Sequence, residues 1–274
     1  MNLKGKVALV TGGGTGIGTA IAERFVADGA KICITGRRKE MLEKVAKSLP
    51  PGTVVTCPGD VSKEADVKRM VETTVKFGGK LNVLVNNAAL NHPAPIAELD
   101  PKLWREVIGV NLTGPFLLMQ AVIPLMIKEG GGSIINISSL GGMRCLPSMP
   151  AYCSSKAGLI MLTQQAALEY GRQNIRCNAV CPGGVKTAMT EKDFGQFGRM
   201  LGIEHETFIN QIAQEIPMRR FAAPPEMGGL CSYLASDESS FMTGAVLTID
   251  GGTAVFDVVG AAITGAIRKG GLVD

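Results

Sequence analysis

Residues 7–18 read VALVTGGGTGIG, an apolar run that passes directly into a glycine-rich loop. The first four residues are apolar at both parities, which is typical of a strand covered on both faces of a sheet. After the loop, apolar side chains recur at helical spacing from Ile17 to Phe25, and Asp28-Gly29 ends that helix. A strand, a glycine loop and a helix in this order predict the first βα unit of a parallel sheet.

Similar apolar segments recur along the chain with helical stretches between them. The predicted strands are Val7–Val10, Ile32–Thr35, Val54–Cys57, Val83–Asn86, Ser133–Ile137, Ile175–Val180 and Val246–Ile249. This alternation predicts an α/β fold, a single-domain doubly wound parallel sheet of about seven strands with helices on both faces. We expect one domain over residues 1–252. Within it, residues 186–225 have few strand signals and are a candidate substrate lid. The Gly- and Ala-rich tail, 253–274, is an interface segment or a helix folded back on its own subunit.

Composition excludes several classes of protein. The 274 residues are 46% hydrophobic and 19% charged, which is ordinary for a soluble globular protein. The net charge of +4 is scattered, so no nucleic-acid footprint is present. The most membrane-like stretch, Ala254–Ile267, is too short to span a bilayer, and the N-terminus begins directly with a strand, so we expect neither a membrane span nor a signal peptide. Seven cysteines without a C-x-x-C spacing indicate reduced thiols in a cytoplasmic protein, and His92 and His205 have no ligand-like neighbours, so no metal is expected.

The glycine loop has the spacing G-x-x-x-G-x-G at positions 12, 16 and 18. Glycines let a pyrophosphate lie against backbone N–H groups at the positive end of a helix. The alternative is a tight βα turn with no ligand, but the strand before the loop and the helix after it favour dinucleotide binding. The candidate cofactor-binding residues here are Gly12, Thr15, Gly16, Ile17 and Gly18.

The end of the second predicted strand indicates which dinucleotide binds. An NAD enzyme usually places an acidic residue there for the ribose hydroxyls, but this chain has Gly36 followed by Arg37 and Arg38. A guanidinium suits a 2′-phosphate by charge and by bidentate hydrogen bonding. NADP(H) is therefore the preferred cofactor, with NAD(H) possible. The alternative is that both arginines are a solvated helix N-terminus.

Tyr152 and Lys156 stand at i and i+4, which places both side chains on one face of a helix. A free phenol has a pKa of about 10. A nearby ammonium is expected to lower the pKa of Tyr152 toward a useful range for proton transfer. The strand Ser133–Ile137 leads into Ser138-Ser139, where a hydroxyl could bind a substrate oxygen. Alone, such a Tyr/Lys pair usually belongs to a surface helix.

Taken together, these motifs resemble the short-chain dehydrogenase/reductase family over residues 4–252. The matching motifs, in the family's order, are TGGGTGIG at 11–18, Asp60-Val61, Asn86-Asn87-Ala88-Ala89, Asn111, Ser139, Y-x-x-x-K at 152–156, and Pro182-Gly183 with Thr187. Ala89 departs from the family's usual glycine, and the tail is longer than usual. The resemblance implies a Rossmann fold and hydride transfer between NAD(P)(H) and a ketone, aldehyde or secondary alcohol.

The resemblance also implies a role for each matching residue. Tyr152 would be the general acid or base, Lys156 would lower its pKa and hold the nicotinamide ribose, Ser139 would orient the substrate oxygen, and Asn111 would support a water relay. Cofactor contacts would come from Asp60 and Val61 at the adenine, Asn87 and Ala88 on the adenosine side, and Val185 and Thr187 at the nicotinamide end. Relatives also suggest a homotetramer or homodimer that packs through helices near 101–128 and 152–172.

Two alternatives remain open at this point. One is a reductase of carbon–carbon double bonds, such as an enoyl-thioester reductase, although those relatives usually space or replace the tyrosine differently. The other is a catalytically silent NAD(P)-binding scaffold. Four residues between Ser139 and Tyr152 suggest a small substrate with an apolar part, or else simple core packing: Met143, Cys145, Leu146 and Met149. His92 and His205 are expected at the surface.

Overall fold

The computed structural model describes residues 1–255, in which seven parallel strands form one sheet. Every predicted strand is confirmed, and most extend by one or two residues because the parallel pairing continues into the adjoining positions. The strands are β1 Val7–Thr11, β2 Lys31–Gly36, β3 Val54–Pro58, β4 Val83–Asn86, β5 Gly132–Ile137, β6 Ile175–Pro182 and β7 Val246–Ile249.

Helices connect the strands, as the alternation predicts. They are α1 Gly16–Ala27, α2 Lys39–Ser48, α3 Glu64–Gly78, α4 Pro101–Ile108, α5 Gly114–Lys128, α6 Pro150–Tyr170, α7 Ala188–Leu201, α8 His205–Glu215 and α9 Pro225–Ala235. A π-helical turn, Gly109–Thr113, joins α4 to α5. The predicted end of the first helix is confirmed, because the Asp28 N–H caps α1 and Gly29 takes a positive φ of 96°. Helices α7 and α8 occupy the region expected for a lid.

The strand order β3-β2-β1-β4-β5-β6-β7 is that of a doubly wound sheet. The chain moves outward from β1 to β3, returns to pair β4 with β1, and then continues in the opposite direction. The loops after β1 and β4 therefore leave the sheet on opposite faces, and a crevice opens between them at the carboxyl ends of the strands. Ligands of open α/β sheets bind in this crevice.

Alternate residues of each strand supply two hydrophobic clusters, one on each face of the sheet. Ala8 and Val10 of β1 pack with α1 and α9, whereas Leu9 packs with α3, α5 and α6. Because both faces are buried, both parities must be apolar, which is the pattern that the strands show in the sequence.

The helical run Pro101–Lys128 is long and apolar enough to cross a membrane by length and composition alone, with a mean hydropathy of 1.6 over its most apolar stretch. Half of that stretch is buried inside the fold, as in the core helix of an ordinary domain. That finding does not test the expectation that Ala254–Ile267 is the most membrane-like stretch. Beyond Val255, that segment and the rest of the tail 253–274 lie outside the described residues.

Candidate functional site

The glycine loop between β1 and α1 has a backbone that side chains would obstruct. Gly12 and Gly16 take positive φ values of 65° and 56°. A Cβ on Gly18 would lie 2.1 Å from the Gly12 carbonyl oxygen, so Gly18 lets the helix pack against its own loop. Thr15 precedes α1 in an extended conformation and its side chain does not cap the helix. The first N–H groups of α1 are therefore free of a side-chain cap, as a phosphate site requires.

Side chains from two strand ends hold this loop in place. The Thr11 hydroxyl oxygen accepts hydrogen bonds from the backbone N–H groups of Asn87 and Ala88, at 2.9 and 3.0 Å. In return, Asn87 Nδ2 donates to the Thr11 carbonyl at 2.9 Å. The amide of Asn87 thus binds the glycine loop itself, a contact that sequence reasoning did not include because it joins β1 to β4.

A cleft runs along the carboxyl ends of the strands and divides at the glycine loop into two halves. Among the predicted site residues, Arg37, Arg38, Asp60 and Val61 line one half, and Gly16, Ile17, Asn87, Ser139, Tyr152, Lys156, Val185 and Thr187 line the other, while Gly12, Thr15 and Ala88 contribute to both. Gly18 and Asn111 do not line the cleft. A long cleft with a bare glycine backbone and an uncapped helix N-terminus at its centre fits a dinucleotide.

Arg37, which lines one half of the cleft, begins a chain of polar contacts. Arg37 Nη1 lies 3.8 Å from Glu106 Oε1, and Glu106 Oε2 lies 3.1 Å from His92 Nε2. The Arg37 side chain is 62% exposed, so it can change partner at little cost. His92 contacts the surface helix α4, as the prediction of a surface histidine expects.

Helix α6 presents Tyr152 and Lys156 to the other half. The Ser139 hydroxyl lies next to the Tyr152 phenol, and both side chains line this half of the cleft. Lys156 Nζ donates to the Ile137 carbonyl at 2.7 Å and lies 5.7 Å from the centre of the Tyr152 ring. The Ser138 hydroxyl donates to the Lys156 carbonyl at 2.9 Å, which ties α6 to the end of β5. Sequence reasoning gave Ser138 no role of its own.

Burial dominates the acid–base chemistry of this pair. It lowers the pKa of Lys156 from 10.5 to about 8. It also raises the pKa of Tyr152, against the opposing effect of the neighbouring Ser139 hydroxyl, and the negative charge of Asp193 raises it further. The expectation of a lowered pKa for Tyr152 is therefore wrong for this structure, because burial of the phenol is the largest influence on its pKa.

The lowered pKa of Lys156 predicts how stability depends on pH. Between pH 8 and 10.5 the unfolded chain binds a proton at this lysine that the folded chain has released, so folding becomes more favourable as pH rises. Relative to Lys156→Met, the wild-type unfolding free energy should rise by about 1.4 kcal/mol per pH unit, or about 3 kcal/mol in all. Urea unfolding of both proteins at pH 7.5, 8.5 and 9.5 measures this difference.

The comparison with a variant is needed because other groups titrate in the opposite direction. Burial raises the pKa of Cys33, Cys177 and Cys231 to about 12, so these thiols destabilise the fold as pH rises above 9. Their effect is common to both proteins and cancels in the difference. A difference that stays flat from pH 7.5 to 9.5 would show that Lys156 titrates normally.

Asn111 lies in the π-helical turn between α4 and α5 and is fully buried. Its Nδ2 donates to the Leu90 carbonyl at 2.9 Å and to the Ser155 hydroxyl at 3.1 Å, and its Oδ1 accepts from the Leu90 N–H at 2.9 Å. Asn111 therefore positions the loop after β4 and the residue before Lys156. Its role in a water relay stays a prediction.

An apolar cavity of about 750 Å³ adjoins the Tyr152 half of the cleft. Ser139 and Tyr152 line both spaces. Of the four residues predicted to shape a substrate pocket, Leu146 and Met149 line the cavity, whereas Met143 and Cys145 are exposed at the surface. The prediction is thus wrong for Met143 and Cys145, because the middle of the loop between β5 and α6 faces solvent while its two ends line the cavity. The rest of the wall comes mainly from α7 and α8.

His205 is partly exposed and contacts Glu191 at 2.6 Å.

Comparisons with known proteins agree with this geometry. Residues 12–254 match the family model described as "Enoyl-(Acyl carrier protein) reductase". The chain is 39% identical over 257 residues to a 3-oxoacyl-[acyl-carrier-protein] reductase of Thermotoga maritima, covering 93% of this chain and all of that one. It is 38% identical to an NADP-dependent (R)-specific alcohol dehydrogenase of Lentilactobacillus kefiri, covering 91% of this chain and 97% of the relative. The structure of an actinorhodin polyketide ketoreductase variant with NADPH superposes with a TM-score of 0.88 at 31% identity, covering 92% of this chain and 98% of that one. The chain belongs to the short-chain dehydrogenase/reductase family and is an NAD(P)-dependent oxidoreductase.

Proposed function

We propose that the protein transfers a hydride between NADP(H) and a ketone, an aldehyde or the corresponding alcohol. One observation carries this proposal: the neighbouring Ser139 and Tyr152 hydroxyls stand where the cofactor cleft meets the apolar cavity. A carbonyl oxygen bound between them would receive one hydrogen bond from each hydroxyl. The bound nicotinamide supplies or accepts the hydride. A panel of ketones and secondary alcohols, followed at the NAD(P)H absorbance, tests this function.

Each residue near the reacting oxygen then has a distinct task. Tyr152 gives a proton in reduction and takes one in oxidation, and its raised pKa suits the role of acid. Ser139 orients the oxygen. Lys156 supplies positive charge beside the developing phenolate and holds the nicotinamide ribose, and Asn111 supports proton supply by a water relay.

Reduction of a carbon–carbon double bond is the second candidate function. The description of the matching family model favours it. The Ser139–Tyr152 pair favours carbonyl reduction, because two hydroxyl donors on one oxygen stabilise an alkoxide. NADPH oxidation with a 3-oxoacyl thioester and with its 2-enoyl counterpart compares the two reactions directly. A silent scaffold would bind NADPH and turn over neither.

We also propose NADP(H) over NAD(H), since Arg37 and Arg38 line the cleft half that follows β2. Arg37→Ala should reduce kcat/KM for NADPH by tenfold or more, because a charge-assisted bond to the 2′-phosphate is lost. The value for NADH should change little. Initial rates with both cofactors measure the ratio.

Lys39→Ala is the matched control for Arg37→Ala. It removes a positive charge two residues further on, where the side chain is 72% exposed and paired with Glu43. The cofactor ratio should then stay at the wild-type value. An NADH preference in the wild type that Arg37→Ala leaves unchanged would contradict the proposed role of Arg37.

Three further proposals concern the rest of the molecule. Residues 1–252 form one domain. Within it, helices α7 and α8 of the region 186–225 cover the apolar cavity as a substrate lid. Exposed apolar side chains on α4, α5 and α6 support a homotetramer or homodimer: Trp104, Phe116, Ile127, Met161 and Leu168. All seven cysteines are free, which supports a cytoplasmic location.

A further inference from the structure

A buried polar pair lies in the wall of the apolar cavity, apart from Ser139 and Tyr152. Asn91 follows β4, Asp193 belongs to α7, and both line the cavity. Asn91 Nδ2 donates to Asp193 Oδ2 at 3.3 Å, and each residue is only 7% exposed. The proposed function gives this pair no task.

The pair has more free acceptors than free donors. Asn91 donates one N–H of its Nδ2 to Asp193 and keeps the second, while its buried Oδ1 has no hydrogen-bond partner within residues 1–255. The carboxylate can only accept. Two threonines of the same wall supply no hydroxyl proton, because Thr190 donates to the Val185 carbonyl at 2.7 Å and Thr253 to the Asp250 carbonyl at 2.8 Å.

This arrangement is unfavourable unless a ligand completes it. A buried carboxylate held by one hydrogen bond of 3.3 Å is poorly compensated for lost hydration. Burial accordingly raises the pKa of Asp193, and the Asn91 hydrogen bond, Lys192 and His92 act in the opposite direction. A ligand group that donates hydrogen bonds would satisfy both Asn91 Oδ1 and the carboxylate.

We propose that Asn91 and Asp193 recognise a hydrogen-bond donor, a hydroxyl or a protonated amine, on an otherwise apolar ketone or alcohol substrate. The inference rests on the proposed function, because the reacting carbonyl of the same molecule lies at Ser139 and Tyr152. The apolar body packs against Phe194, Phe197 and Phe208, which line the remaining wall. A substrate without the donor leaves two buried acceptors unpaired and is discriminated against for that reason.

Substituted 2-tetralones test this recognition. Hydroxyl and methoxy groups at ring positions 5, 6 and 7 form matched pairs, since the methoxy group cannot donate. In the wild type, kcat/KM should favour the hydroxyl compound by tenfold or more at one position at least, which corresponds to about 1.4 kcal/mol. Asp193→Leu should bring that ratio close to one. The ratio is taken within one enzyme preparation, so a fraction of unfolded protein cancels.

Asp193→Asn separates the two kinds of donor. It keeps an acceptor oxygen but removes the charge, so the preference for a hydroxyl should persist in part. The preference for an aminomethyl tetralone, which is protonated at neutral pH, should disappear. If the wild type prefers the amine to the hydroxyl and Asp193→Asn abolishes that preference, the substrate donor is a cation; otherwise it is a hydroxyl.

Glu215→Gln is the control, because it removes a carboxylate charge from the exposed end of α8. It should leave the hydroxyl-to-methoxy ratio unchanged. No hydroxyl preference at any position, or a ratio that Asp193→Leu does not alter, overturns the inference. Failure of the wild type to reduce any ketone contradicts the proposed function instead. Calorimetric binding of the same pairs to the NADPH-loaded enzyme then decides the inference by the same ratio.

Discussion

Tyr152→Phe should lower kcat for carbonyl reduction by about 10³-fold, within the range of 10²–10⁴ for loss of a general acid. In the proposed mechanism the phenol delivers the proton to the developing alkoxide, and Ser139 alone would only hydrogen-bond it. NADPH affinity should stay within a few fold, because Lys156 keeps its own bond to the Ile137 carbonyl without help from Tyr152. Single-turnover absorbance measurements and an NADPH fluorescence titration give the two quantities separately.

Tyr170→Phe is the matched control for this prediction. It removes the same hydroxyl at the last residue of the same helix, where the ring packs against the core cluster of α3, α5 and α6. Turnover should remain at the wild-type level. Wild-type rates in Tyr152→Phe would mean that another group donates the proton. Loss of NADPH binding in Tyr152→Phe would mean that the hydroxyl serves the cofactor.

The strands and the linear motifs of the site could be predicted because each depends on neighbours in sequence. A strand with both faces buried, such as β1, must be apolar at both parities, and the glycines at 12, 16 and 18 meet requirements of one loop. The predicted ends of β2 and β6, Thr35 and Val180, fall one and two residues before the observed ends. Gly36 of β2 and Cys181 and Pro182 of β6 still pair in the parallel ladder.

Features that join distant segments could not be predicted in this way. Asn91 and Asp193 are 102 positions apart, and only the folding of α7 over the end of β4 brings them together. The π-helical turn that turns Asn111 toward Leu90 has no local signal in the sequence. The pKa of Tyr152 depends on how much water the fold removes from the phenol, so the spacing to Lys156 predicted the wrong sign.

Gly18→Ala should disable the cofactor site through backbone packing. Alanine favours a helix over glycine by about 1 kcal/mol, so helix propensity alone predicts a gain in stability. Against this, the new Cβ would lie 2.1 Å from the Gly12 oxygen and 2.6 Å from Asn87 Nδ2. Gly12 has a positive φ and its neighbour Thr11 is held by Asn87, so the loop cannot yield freely. Overpacking of this kind costs about 1–3 kcal/mol and outweighs the propensity.

In the displaced loop, the backbone N–H groups at the start of α1 should no longer converge on the pyrophosphate. We therefore expect the NADPH affinity of Gly18→Ala to fall by about 100-fold or more. Calorimetric titration with NADPH and urea unfolding measure the two effects. Gly36→Ala adds the same methyl at the end of β2, where it meets only Leu42 Cδ2 at 3.7 Å, and its unfolding free energy should match the wild type. If Gly18→Ala binds NADPH as tightly as the wild type does, the prediction is wrong. The loop then tolerates its displacement, and Gly18 serves only the packing of α1.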